Sequence, residues 1–223
     1  ARKEDIFYLV EGAPEVIKLQ SIGITNTVAS LGGAWSATHF EQLHRHANKV
    51  CFIPDADPPK KGEHMGAGKK FVCANGMIAL KAGLGVTVKE IPALLDEKRD
   101  PDSYITSAAV LASIEEKDFV VWYADILFEP TETVEAKSAV VTEIANLLAI
   151  IKDDVKVQMM LKQLQKLYPD KALWKSALGA ARKANKEQKV SGDKAQMLNK
   201  ELLAKFGFYE SGHCYWSIGK DGE

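Results

Sequence analysis

The chain has 223 residues, 46% of them hydrophobic, and a formal net charge of −1, enough for one large or two small domains with a proper core. Three scattered cysteines (Cys51, Cys73, Cys214) form no C-x-x-C pair, which argues against a disulfide framework or zinc ribbon and fits a reducing, cytoplasmic setting. No apolar run approaches the roughly 20 residues of a bilayer span, and Ala1-Arg2-Lys3-Glu4-Asp5 is no signal peptide, so no membrane contact is expected.

Ile6 to Val10 is an apolar run of strand formers and reads as a buried parallel strand. It stops at Glu11-Gly12. Ala13-Pro14-Glu15 then opens a helix that runs to Gly23, because Pro suits a first turn and Glu15 suits the positive end of the dipole. Thr25 to Ala29 is a second strand, ended by Gly32-Gly33, and a helix over about 36–47 follows with Phe40 and Leu43 on its core stripe. Val50-Cys51-Phe52-Ile53 is the third strand. Pro58 to Gly68 reads as a flexible connection, a helix covers about 69–81, and Val86 to Ile91 is the fourth strand. Strands alternating with helices at this spacing predict an α/β domain with a parallel sheet.

Functional groups in such sheets gather beyond the carboxyl ends of the strands. Glu11 lies there on strand one, Asp55 and Asp57 on strand three, and Asp100 and Asp102 follow strand four. Side chains two apart in an extended segment share a face, so Asp55 and Asp57 aim the same way. Two like charges that close call for a cation, and a hard, oxygen-loving one fits. A solvated acidic turn is the plain alternative for any one of these pairs.

From about Thr133 the pattern turns helical. Val134 to Ile151 and Asp153 to Tyr168 are apolar at helical spacing, Pro169 breaks the run, and Trp174 to Asn185 is a further helix ended by the polar stretch Lys186 to Lys194. Phe206 to Ile218 reads as a hairpin around Ser211-Gly212. The expected organisation is an α/β domain over 1–130, a helical subdomain over 131–205 and a terminal hairpin over 206–223, the hairpin being a candidate start of a further domain. Charge is divided along the chain: residues 1–151 carry 21 acidic and 15 basic side chains, whereas residues 152–205 carry 13 basic and 6 acidic ones. That balance points to metal chemistry in front and polyanion contact behind, or to a solvated lysine-rich surface. His39, His44 and His46 read as a solvated face, His64 as a loop residue, and Trp35 and Trp216 as packing residues before base-stacking ones. Gly32-Gly33 lacks the Lys-Ser/Thr of a P-loop.

Val10-Glu11-Gly12, then Gly23, Val28-Ala29-Ser30-Leu31-Gly32 and Asp55-x-Asp57 resemble a Toprim domain. With Glu15, Thr38 and His39, and with Asp100-Pro101-Asp102-Ser103-Tyr104-Ile105 after the fourth strand, the closer resemblance is to the DnaG-type primase, over roughly residues 4–168. The resemblance implies a Toprim-type parallel sheet flanked by helices, then an all-helical segment. It implies that Glu11, Asp55 and Asp57 are catalytic and that Glu11, Asp55, Asp57, Asp100, Asp102 and Glu15 hold Mg²⁺ or Mn²⁺, with Glu15 standing where the family usually has Asp. Lys60, Lys61, Lys69 and Lys70 become candidates for the nucleotide triphosphate or for plain solvation. The implied activity is nucleotidyl transfer that makes RNA primers on single-stranded DNA from ribonucleoside triphosphates during DNA replication, with a replicative helicase, fused or separate, as a further partner. The family's zinc module and the N-terminal part of its polymerase core have no counterpart in this sequence, so zinc is not expected and the chain reads as a piece of a larger primase with little activity of its own. Pro58 to Gly66 is an insertion relative to the family's compact loop. A Toprim nuclease or topoisomerase piece, and a non-catalytic DNA- or helicase-binding module, are the alternatives.

Overall fold

A computed structural model describes residues 5–30, 34–94, 97–205, 208–211 and 214–217. The chain divides into two compact units, residues 1–178 and 179–223. The first is built on a five-stranded sheet in the order β2-β1-β3-β4-β5, with β1 at Phe7–Val10, β2 at Thr27–Ala29, β3 at Lys49–Phe52, β4 at Gly85–Lys89 and β5 at Glu116–Asp118. The first four strands pair in parallel. The last, β5, pairs antiparallel with β4. The four strands expected from the sequence are thus parallel, and an antiparallel fifth that the sequence did not announce makes the sheet mixed at that edge. The short strand Glu-Lys-Asp carries no apolar signal; cross-sheet pairing of Lys49 and Lys89 with Glu116 helps to hold it.

The central strand is buried on both faces: Val50, Cys51, Phe52 and Ile53 are fully covered, as the continuous apolar run requires. Alternation sends successive residues into two cores. Leu9 and Phe52 belong to the larger one, Val10 and Ile53 to the smaller. Leu19 from α1 (Ala13–Ser21), Ile105 beyond α4 (Pro101–Tyr104) and Leu111 from α5 (Ala108–Ser113) fill the smaller core. The larger is filled from α2 (Ala37–His44), α3 (Ala67–Lys81), α6 (Phe119–Phe128), α7 (Val134–Leu148) and α8 (Asp154–Leu167), and closed by Trp174 and Leu178.

Two segments differ from expectation. α6 (Phe-Val-Val-Trp-Tyr-Ala-Asp-Ile-Leu-Phe) is apolar nearly all round, with six of its residues buried, so it shows no helical stripe to read. α9 spans Lys171–Lys205; the polar stretch 186–194 continues the helix rather than ending it: Lys186, Glu187, Gln188 and Lys189 are good helix formers whatever their polarity, and the weaker Ser191, Gly192 and Asp193 are carried within the run. In the second unit β6 (Phe208–Ser211) and β7 (Cys214–Ser217) form an antiparallel hairpin. Its turn, like Leu31-Gly32-Gly33, lies outside the described residues. Trp35 is core, stacked on Phe40 at 5.4 Å. His39 serves a capping box with Ser36. Cys51 and Cys73 are buried free thiols, and no helix among the described residues is long and apolar enough to cross a membrane.

Candidate metal centre

Parallel pairing of Phe7 with Val50 and Leu9 with Phe52 sets the ends of β1 and β3 side by side. The Ile53 amide still donates to the Leu9 carbonyl at 2.9 Å, so Glu11, one residue past β1, arrives beside Pro54-Asp55. There the Asp55 amide donates to Glu11 Oε1 at 3.3 Å. One carboxylate oxygen from each of Glu11, Asp55 and Asp57 falls within a mutual 4.8 Å.

The turn carrying Asp55 and Asp57 is clamped from two sides. Ala56 forms an isolated antiparallel bridge with Arg99, its amide donating to the Arg99 carbonyl at 2.9 Å. On the other side the N-terminus of α3 presses directly on the turn. A Cβ on Gly66 would stand 2.0 Å from the Asp57 carbonyl oxygen, and one on Gly68 would stand 2.2 Å from that of Asp55. Only glycine permits this approach. It lets the Gly68 amide donate to Asp57 Oδ2 at 3.2 Å, at the electropositive end of the helix. The 58–68 connection is thus fixed at its downstream end, and α3 begins two residues earlier than its apolar pattern predicts.

The Arg99 bridge also brings up Lys98, whose ammonium lies 2.7 Å from Asp55 Oδ2 and 3.0 Å from Asp100 Oδ1. Glu15, in the first turn of α1, is buried, and its Oε2 has no hydrogen-bond partner among the described residues; neither has Asp55 Oδ1. Glu15, Asp100 and Asp102 fall outside the close three-carboxylate group. Asp100 is joined to it through Lys98, and Asp102 sits in the first turn of α4, half-buried.

Burial above all, then the charge of Asp55, pushes the Glu11 carboxyl from its ordinary 4.5 up to about 7; the Asp55 amide and Lys98 pull the other way. Asp55 rises from 3.8 to about 6, again first through burial, with Lys98 opposing and Asp100 and Glu15 adding to the rise. Flanked by two carboxylates, the Lys98 ammonium is held charged well above its usual range. The cluster therefore has more negative charge than it can bear unaided. A cation relieves it, and the all-oxygen donor set suits a hard divalent ion.

Beside Asp55 and Asp57 a cleft of about 380 Å³ opens toward β4 and β5, lined also by Lys69, Glu90, Ile91, Glu115 and Lys117. Lys69 pairs with Glu90 at 3.4 Å and Lys70 with Glu63 at 2.7 Å, while Lys60 and Lys61 are exposed. Of the four candidate lysines, Lys69 is the one that lines this cleft. Sequence reasoning missed Lys98, Lys117 and the Gly66/Gly68 contact. The spacing of Lys98 two residues ahead of Asp100 in extended chain was the available signal for the first, and Gly-x-Gly at a helix start for the last.

Residues 8–105 match the Toprim-like family. A DNA primase of Staphylococcus epidermidis is 34% identical over 104 residues, which is 47% of this chain and 15% of that protein. A DNA primase domain from Pseudomonas aeruginosa superposes with a TM-score of 0.57 at 24% identity, over 81% of this chain and 55% of that one. A DnaG primase catalytic domain bound to single-stranded DNA superposes with a TM-score of 0.56 at 20% identity, over 74% and 51%. The chain thus spans about a seventh of the length of the curated relatives it matches.

Proposed function

We propose, from the premise that residues 8–105 are a Toprim domain of the DnaG-primase type, that this chain supplies the metal-binding part of a primase catalytic core. The observation that carries the reading is the convergence of Glu11, Asp55 and Asp57 within 4.8 Å at the ends of two adjacent parallel strands. Those three residues would hold Mg²⁺ or Mn²⁺, with Asp100, Asp102 and Glu15 completing the acidic rim. The bound ion supplies charge neutralisation for a nucleoside triphosphate and its leaving pyrophosphate and lowers the pKa of an attacking 3′-hydroxyl.

The chain's own side chains prepare that chemistry. Glu11 is fixed by the Asp55 amide, which orients its carboxylate toward Asp55 and Asp57. Asp57 is fixed by the Gly68 amide. Lys69 and Lys117, which line the adjoining cleft, would meet the triphosphate of an incoming ribonucleotide. Single-stranded DNA is the template this reading implies, in line with the complex of the DnaG catalytic domain. Primer synthesis, the nucleotide substrates and any helicase partner belong to the longer polypeptide of which relatives of this domain are part.

Mn²⁺ titration followed by electron paramagnetic resonance tests the metal reading. The Asp55→Asn/Asp57→Asn protein, which loses two of the three ligand carboxylates, is expected to bind Mn²⁺ more than about 100-fold more weakly than wild type, beyond the loss that changes behind the ligands cause; equal binding by the two proteins sinks it. Placed in a full-length primase context, the same double substitution is expected to abolish primer synthesis. A full-length protein that cleaves supercoiled plasmid and makes no primers overturns the primase assignment in favour of a Toprim nuclease.

A further inference from the structure

The acidic rim already contains a cation of its own. Lys98 reaches Asp55 Oδ2 and Asp100 Oδ1 at 2.7 and 3.0 Å, a bridge between two carboxylates from separate segments. One partner, Asp55, is only 5% exposed, and its other oxygen has no hydrogen-bond partner among the described residues. The lysine itself is 53% exposed. These three facts do not describe an ordinary stabilising bridge. A half-exposed lysine on a flexible stem gains little from a surface carboxylate, yet here it is the ammonium that covers a buried aspartate at the centre of the site.

We propose that Lys98 is a resident counter-cation: it neutralises the Asp55–Asp100 pair while the rim is metal-free, and it must swing out to solvent before a divalent ion can use those oxygens. This rests on the metal reading above. Its position permits the exchange, since the backbone of the segment is anchored by the Arg99–Ala56 bridge and by Arg99 donating to the Pro92 carbonyl at 3.1 Å. Only the side chain has to move. Release of the half-exposed ammonium is offset by its own rehydration and by the incoming ion, which takes its place on the buried Asp55. The lysine thus offsets part of the charge of the empty cluster, at the expense of metal affinity. It is a positioning residue rather than a catalytic one.

A purely structural bridge and a resident counter-cation predict different responses. Loss of the first lowers stability and leaves metal affinity unchanged or weaker. Loss of the second lowers the stability of the metal-free protein and raises metal affinity. Mn²⁺ titration of wild type, Lys98→Met and Lys98→Arg at pH 7.5, with melting curves in EDTA, separates them. Lys98→Met is expected to bind Mn²⁺ about fivefold more tightly than wild type, the factor that matches loss of one exposed ion pair, and to melt lower in EDTA. Lys98→Arg is expected to restore wild-type affinity, and the gap between Met and wild type is expected to narrow in high salt. Unchanged or weaker binding by Lys98→Met, while Asp55→Asn/Asp57→Asn still loses the ion, overturns this inference and leaves the metal reading standing. Absence of Mn²⁺ binding in every variant overturns both.

Discussion

Glu11 and Asp55 are carboxylates whose surroundings oppose their charge, and that has a sign. In the unfolded chain they titrate at ordinary values, 4.5 and 3.8; in the fold they move up to about 7 and about 6. Between those limits the folded protein holds protons that the unfolded chain has released, so their contribution to stability is greatest in acid and falls as pH rises through the folded values. At pH 8 the deprotonated Glu11 therefore costs the metal-free fold stability. Metal reverses this, because it binds the deprotonated form. Melting temperatures in EDTA should therefore fall from pH 5.5 to pH 8, with Glu11→Gln flattening the slope, whereas saturating Mn²⁺ should restore stability at pH 8. A wild-type profile in EDTA as flat as that of Glu11→Gln would mean that the rim is hydrated like ordinary surface. These residues were legible in the sequence because each follows an apolar run directly, so that strand register alone places it. For Lys98 the sequence offers only its place two residues ahead of Asp100; what brings it to Asp55 is Arg99 finding Ala56 across 43 positions of chain, and no local pattern announces that long-range bridge.

At the scale of elements, the contact that shapes the rim is between the first turn of α3 and the Asp55–Asp57 turn. Both partners in the close approaches of Gly66 and Gly68 are backbone carbonyls, which cannot rotate away as a side chain would. Gly68→Ala must displace the helix or the turn. The expected cost is roughly 2–4 kcal/mol in urea unfolding, with Mn²⁺ affinity reduced as the Gly68 amide leaves Asp57. Gly179→Ala is the natural control: a Cβ there meets nothing within 4 Å, and in a helix the change should stabilise by about 0.5–1 kcal/mol. If Gly68→Ala binds Mn²⁺ like wild type, the helix end does not position Asp57. The glycines stood in the sequence as signs of a loose loop, since composition cannot tell a glycine needed for freedom from one needed for closeness. The same limit hid α6 and β5: one is too apolar to show a stripe, the other too polar to show a strand, and both exist because the rest of the fold gives them something to pair with or pack on.

For the whole molecule, the question is where the unit that carries the rim ends. The 35-residue α9 crosses the division between the two compact units, and its first two turns belong to the first. Trp174 is fully buried, donates its indole N–H to the Tyr168 carbonyl at 2.9 Å, and meets the Phe128 ring edge-on at 6.4 Å; Phe128 in turn stacks on Tyr168 at 6.0 Å. Together with Leu178 these groups close the larger core at the far end of the chain from the acidic rim in sequence. A chain ending at residue 178 should accordingly unfold in one cooperative transition and bind Mn²⁺ with the affinity of the 223-residue chain. Ending it at residue 170 removes Trp174 and Leu178 and leaves the surface they covered open to water, a loss that for a buried tryptophan alone is about 3–5 kcal/mol. Chemical denaturation of the two truncated chains decides the matter. If the 178-residue chain is itself unfolded, the cooperative unit that carries the rim extends beyond residue 178.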